Sequence, residues 1–125
     1  MIEHRQLARR RFSYYMLVRD DTTGELVGHW ADISPSGFRL ETLNPVPQNK
    51  DFRFRIDLSS EIARKSSMVF SARSRWCQKD PLDPNLYEVG FQISPLPPDD
   101  SMIFKSMFEK YGSQDWNGDF PTAYQ

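Results

Sequence analysis

From Phe52 to Leu58 the chain alternates without a break: Phe52, Phe54, Ile56 and Leu58 against Arg53, Arg55 and Asp57. A period of two belongs to a strand with one face in a core and the other in water. A helix would scatter the same aromatics around its circumference. The chain must therefore build a sheet whose inner face collects large apolar side chains. Other segments fit the same sheet. Met68–Gln78 places Phe70, Ala72, Ser74 and Trp76 on one face and Ser71, Arg73 and Arg75 on the other. Leu86–Ile93 turns Tyr87, Val89, Phe91 and Ile93 inward, and Phe38–Glu41 sets Phe38 and Leu40 opposite Arg39 and Glu41. Phe12–Arg19 and Leu26–Ile33 are short apolar runs that read as the first two strands.

Between these runs lie turn-forming residues. Asp20-Asp21-Thr22-Thr23-Gly24 is a turn, and Asn44-Pro45-Val46-Pro47-Gln48-Asn49 carries two prolines that a strand interior excludes. Ser59–Ser67 is a polar connection with a helical turn at Glu61–Lys65, and Lys79–Asn85 is another proline-containing turn. After Pro95-Leu96-Pro97-Pro98 the period changes. Ile103, Phe104, Met107, Phe108 and Tyr111 recur at helical spacing. Pro98, Asp99 and Asp100 suit the first turn of that helix, and Gly112 suits its end. Six short strands and one amphipathic helix make an antiparallel barrel or sandwich with a helix packed on it. The expected division is a basic N-terminal arm over 1–11, a barrel with its helix over 12–111 and an irregular tail over 112–125.

At 125 residues the chain is long enough for one domain with a real core. The net charge is −1, so the chain as a whole is no polyanion binder, which argues against nucleic acid as a partner. The charge is uneven all the same. Arg5, Arg9, Arg10, Arg11 and Arg19 crowd the start, while Asp99, Asp100, Asp115 and Asp119 lie near the other end. The single cysteine, Cys77, excludes an internal disulfide and suits a reducing compartment. It has no neighbouring base and reads as structural. No run approaches a membrane span, and no apolar segment follows the N-terminal charges. The expected location is the cytoplasm, without membrane insertion. His4 and His29 are too few to make a metal site, and the carboxylates form no pair suited to acid–base catalysis. No enzyme, metal or cofactor is expected.

The chemistry gathers around Asp32-Ile33-Ser34-Pro35-Ser36-Gly37. Alternation points Asp32 and Ser34 to the same side. Gly37 allows either an unusual backbone angle or a close approach of backbone to a neighbour. Taken alone, these are turn residues between two strands. Arg9-Arg10-Arg11, just before the first strand, adds guanidinium groups built for planar recognition of phosphate or of the O6/N7 edge of guanine. A carboxylate such as Asp32 accepts from guanine N–H groups or holds an arginine in place. Ser34 donates to a phosphate or a base.

These residues resemble the signature of PilZ domains, six-stranded barrels that bind the bacterial second messenger cyclic di-GMP. One part of that signature, Asp/Asn-x-Ser-x-x-Gly between the second and third strands, is met by Asp32, Ser34 and Gly37. The other is Arg-x-x-x-Arg just before the first strand. Arg10 matches its first arginine, but Tyr14 stands in place of the second. Arg5-Gln6-Leu7-Ala8-Arg9 has the spacing but lies farther from the first strand. The strand Tyr87-Glu88-Val89-Gly90-Phe91 looks like the family's last. The resemblance implies a mainly β, six-stranded antiparallel barrel with a C-terminal α-helix. It also implies a ligand site built from Arg9, Arg10, Arg11, Asp32, Ser34 and Gly37.

The function implied is a bacterial sensor module that binds cyclic di-GMP, as ligand and not as cofactor, and relays the signal to an unidentified protein partner. The alternative is a nucleotide-free adaptor acting by protein contacts in motility or surface machinery, a role taken by family members with incomplete arginine motifs. A small barrel for single-stranded oligonucleotides would also combine aromatics with arginines, but its basic charge is missing. Trp116, Phe120 and Tyr124 are apolar residues that either dock on the barrel or meet a partner.

Overall fold

The computed structural model describes residues 10–113. In chain order the elements are β1 (Arg10–Phe12), β2 (Leu17–Asp20), β3 (Leu26–Ser34), β4 (Gly37–Thr42), β5 (Asp51–Asp57), β6 (Ser67–Lys79), β7 (Tyr87–Ile93), α1 (Pro98–Tyr111) and β8 (Gly112–Ser113). All pairings are antiparallel. The order β2-β5-β6-β7-β4-β3 closes on itself through β3 and β2, giving a six-stranded barrel. Closure leaves these strands no free edge, which a short antiparallel sheet otherwise has to protect. β1 and β8 continue outward from β3, so β3 serves both the barrel and this two-strand extension.

Most of the inward residues expected from alternation form the core; Trp76 does not, because the β6–β7 register steps between Ser74 and Trp76 and lays its ring over Gly90 on the outer face. Phe54, Ile56, Met68, Phe70, Ala72, Val89 and Phe91 are buried, as are Phe38 and Leu40. Trp30 is at its centre, stacked on Phe38 at 4.2 Å between ring centroids and flanked by Phe12 at 5.5 Å and Phe70 at 6.1 Å. Helix α1 begins with Pro98 and the acids Asp99 and Asp100, and it buries Ile103, Phe104, Met107 and Tyr111. Phe104 reaches the same tryptophan at 6.4 Å. Lys65 donates to the buried Asp100 at 2.6 Å, tying the β5–β6 connection to the helix start. Gly112 caps the helix in an extended conformation and leads directly into β8. The expected irregular tail therefore starts with two strand residues, and its remainder, with Trp116, Phe120 and Tyr124, lies outside the described residues.

The first strand departs from expectation. The run Phe12–Arg19 is two strands, β1 and β2, separated by residues 13–16. The reason lies in the hydrogen bonds. The Ser13 backbone N–H and its Oγ both donate to the Tyr111 carbonyl, each at 2.8 Å, so this segment bonds to the end of the helix instead of a strand. Met16 returns to the barrel by accepting from Trp30 N–H at 3.0 Å. Within the apolar run, Met16 and Val18 are buried but Tyr15 is 73% exposed.

A second departure concerns β3. Strict alternation would put Trp30 and Asp32 on one face. In the structure Trp30 pairs with Leu40, but Asp32 pairs with Arg39, so the register steps by one at Ala31. This bulge lets Trp30 and Ile33 both enter the core while Asp32 turns to the outer face.

Candidate functional site

The β3–β4 hairpin carries the site. Its turn is Pro35-Ser36, with Ser34 paired to Gly37. Neither turn residue has a positive φ. Gly37 is needed for a different reason: a Cβ there would run into the Phe91 carbonyl oxygen of β7. Of the two roles open to this glycine, the structure uses close approach. Ser34 Oγ donates to the Gly37 carbonyl at 3.4 Å, a long bond that holds the serine loosely.

Counting back from the turn places Asp32 opposite Arg39. On the other side of β3, Arg11 of β1 is also opposite Asp32. Directly paired residues point to the same face of a sheet. Three neighbouring strands thus present Arg11, Asp32 and Arg39 as one outward row. Asp32 is buried, and Arg39 Nε donates to its Oδ2 at 2.8 Å. Arg39 Nη1 lies 3.2 Å from Glu88 Oε2 on β7. Burial opposes the charge on Arg39. Asp32, by charge and hydrogen bond, and then Glu88 and Glu41 outweigh it and hold the guanidinium above its ordinary value. Beside this row, His29 Nε2 lies 3.3 Å from Glu41 Oε1.

Residues 13–15 and these strands line an open, solvent-facing cavity of about 440 Å³. Arg11, Tyr14, Tyr15, His29, Arg39 and Glu41 line it, with Trp30 and Ala31 of β3. The lining combines guanidinium donors, carboxylate acceptors and aromatic faces. Guanine offers N–H donors on one edge and O6/N7 acceptors on another, so this set matches both edges and the flat face of such a base.

The expected residues are placed differently from one another. Arg9 lies outside the described residues, as does the Arg5-to-Arg9 spacing. Arg10 pairs with Ile33, and its guanidinium carbon sits 4.1 Å from the centre of the Phe108 ring on α1, a cation–π contact. Arg11 lines the cavity, whereas Asp32, Ser34 and Gly37 follow Ala31 along the hairpin toward its turn and are not among the lining residues. Tyr14 lies flat on Tyr111, with centroids 4.5 Å apart and planes 10° from parallel, while also lining the cavity. Sequence reading missed Arg39, Glu41 and Glu88. A two-residue turn at Pro35-Ser36 pairs positions that sum to the same number, so the opposition of Asp32 and Arg39 was available from counting alone.

The family model described as PilZ domain matches residues 3–109. No curated protein matches the chain by sequence. Among solved structures, the PilZ domain of E. coli YcgR with c-di-GMP superimposes with a TM-score of 0.66 at 11% identity, over 98% of this chain and 99% of that one. The K. pneumonia MrkH complex with c-di-GMP gives 0.65 at 18% identity. The Bacillus subtilis inhibitor of motility MotI/DgrA gives 0.63 at 15%. Each of the last two matches covers 87% of this chain but 52% of the other, so the chain spans about half the length of those relatives.

Proposed function

Because the chain belongs to the PilZ domain family, we propose that it is a non-catalytic sensor module that binds cyclic di-GMP and relays the signal to a protein partner. The observation that carries this reading is the placing of Arg11 directly across from Asp32, with Ser34 next on the same face. Arg11 faces phosphate or guanine, Asp32 and Ser34 supply polar contacts, and Gly37 keeps the hairpin close to β7. Arg9 and Arg10 belong to the same basic segment and complete the proposed set. The ligand held by the YcgR and MrkH structures supports carrying this ligand class over. In this reading residues 1–11 are the basic arm, of which Arg10 and Arg11 are held in β1, residues 12–111 the binding body and residues 112–125 the tail. The module works in the bacterial cytoplasm. Among the described residues no helix is long and apolar enough to cross a membrane.

Titration calorimetry with cyclic di-GMP tests the proposal. Saturable heat is expected from the natural chain, with heat strongly reduced in Arg11→Ala and Ser34→Ala. Absence of heat and of competition at high micromolar ligand would overturn it.

One observation favours the nucleotide-free adaptor instead. Tyr14 stacks on Tyr111 and Arg10 on Phe108, so both positions aligned with the arginine motif are engaged by the helix. The name of one neighbour, an inhibitor of motility, fits that alternative. Under it, Arg11→Ala and Ser34→Ala leave the cellular phenotype intact, and substitutions on the exposed face of α1, such as Met102→Glu, abolish it.

A further inference from the structure

The position of the second motif arginine supplies no cation here, since Tyr14 is spent on its stack with Tyr111. A guanidinium reaches the same cavity from another strand. Arg39 lines it together with Arg11 and Tyr14. Asp32 takes Arg39 Nε at 2.8 Å and Glu88 takes Nη1 at 3.2 Å. Two carboxylates on neighbouring nitrogens fix the plane of the guanidinium. Among the described residues Nη2 donates no hydrogen bond.

An arginine that served only to neutralise Asp32 would have no need to line the cavity. Arg11 and Arg39 flank one carboxylate from β1 and β4, and strands two apart in a sheet lie about 10 Å from each other. A cyclic dinucleotide has two phosphodiesters and two guanines, and two separated guanidinium groups suit it. Each can donate to phosphate oxygens or to guanine O6 or N7, Arg39 through the one nitrogen that its carboxylates leave.

We propose that Arg39 is the second ligand-binding guanidinium of this cavity, standing in for the arginine absent at Tyr14 and contacting cyclic di-GMP through Nη2. The inference rests on the reading above that cyclic di-GMP is the ligand. Because Nη2 is the contacting atom, the hydrogen bond to Asp32 and the ion pair with Glu88 persist in the complex and aim the group.

Titration calorimetry with cyclic di-GMP on the natural chain, Arg39→Lys, Arg39→Gln and the double variant Tyr14→Arg/Arg39→Lys provides the test, with thermal melting to establish that each is folded. Arg39→Lys keeps the charge beside Asp32 but removes the fork. It is expected to melt near the natural chain and to bind about tenfold more weakly or worse. Adding Tyr14→Arg is expected to restore most of that loss, which a purely structural role for Arg39 would not allow. Folded Arg39 variants that bind like the natural chain, or a loss that Tyr14→Arg does not restore, overturn the inference and leave the ligand standing. No binding by the natural chain overturns both.

Discussion

The β5–β6 pair and the β3–β4 pair are built from the same alternation, yet their outer faces differ. In β5–β6 the register runs unbroken from Asp51 opposite Arg73 to Asp57 opposite Ser67. Its outer charges are in water: the Arg73–Asp51 pair has side chains 44% and 70% exposed, and Arg53 and Arg55 share Asp21 loosely at 3.6 and 3.7 Å. In β3–β4 the register steps at Ala31, and the outer pair Arg39–Asp32 is only 19% and 4% exposed. The inner faces are equally apolar, so the core does not account for the contrast. Burying charges is costly unless they are paired, and a barrel of this kind can keep its outer polar residues in water, as β5–β6 does. The buried charge lies on the face whose neighbouring residues line the cavity, and the exposed charge on the face that has none of them.

Substitutions can break or sharpen this contrast. The largest effect is expected from Asp32→Ala, which leaves the half-buried Arg39 with Glu88 as its ion-pair partner: a loss of about 3 kcal/mol in urea unfolding, the low end for a buried pair. If Asp32→Ala cost no more than an exposed pair does, the contrast between the Asp32–Arg39 pair and the outer charges of β5–β6 would fall. Gly37→Ala forces a methyl against the Phe91 carbonyl, and a loss of roughly 1–3 kcal/mol is expected, read by thermal melting. Tyr14→Ala removes the stack on Tyr111 at the cavity wall, with an expected cost of about 0.5–1.5 kcal/mol in chemical denaturation. Asp51→Ala, the exposed counterpart of the first substitution, should change stability by about 1 kcal/mol or less.

The smallest effect concerns acid. At the β6–β7 turn the backbone N–H groups of Leu82 and Asp83 donate to Asp80, holding its carboxyl below the ordinary carboxylate value. A group depressed in the folded chain stabilises it above the unfolded pKa, and that contribution is lost as pH falls through the folded one. Asp80→Asn should therefore flatten the fall of stability as pH drops below the ordinary carboxylate value of about 4, without changing cyclic di-GMP binding at neutral pH. An unchanged slope would show that this turn carries no acid-sensitive contribution.

The fold was legible where side chains settle their own environment. Phe52, Phe54 and Ile56 can satisfy their surface only by facing one core, so β5 could be read almost to its ends. The helix was equally plain, from Pro98 through Ile103, Phe104 and Met107. What stayed hidden depended on partners distant in sequence. Tyr14 and Tyr15 look like strand residues until Tyr111 offers Ser13 a carbonyl. The step at Ala31 has no local mark, because Ala is at home in a bulge or a strand alike. Asp32, Ser34 and Gly37 were visible as a motif, but Arg39 entered only once the hairpin register was known. Arg10 could be singled out as a basic residue, but its seat on Phe108 needs a helix nearly a hundred residues away.

The pairing of β8 with β1 has a mechanical consequence. Arg11 lies opposite Ser113 and Phe12 opposite Gly112, with the strands antiparallel. The chain thus enters at Arg10 and leaves at Ser113 on the same side of the pair. Tension drawn between those two points would load the rungs one at a time, as in a zipper, instead of shearing them together. The first rungs to part would be those of Arg11, the strand neighbour of Asp32. Among the described residues, a pull between Arg10 and Ser113 would therefore be felt first at the Arg11–Asp32–Arg39 row, with the closed barrel still intact behind it.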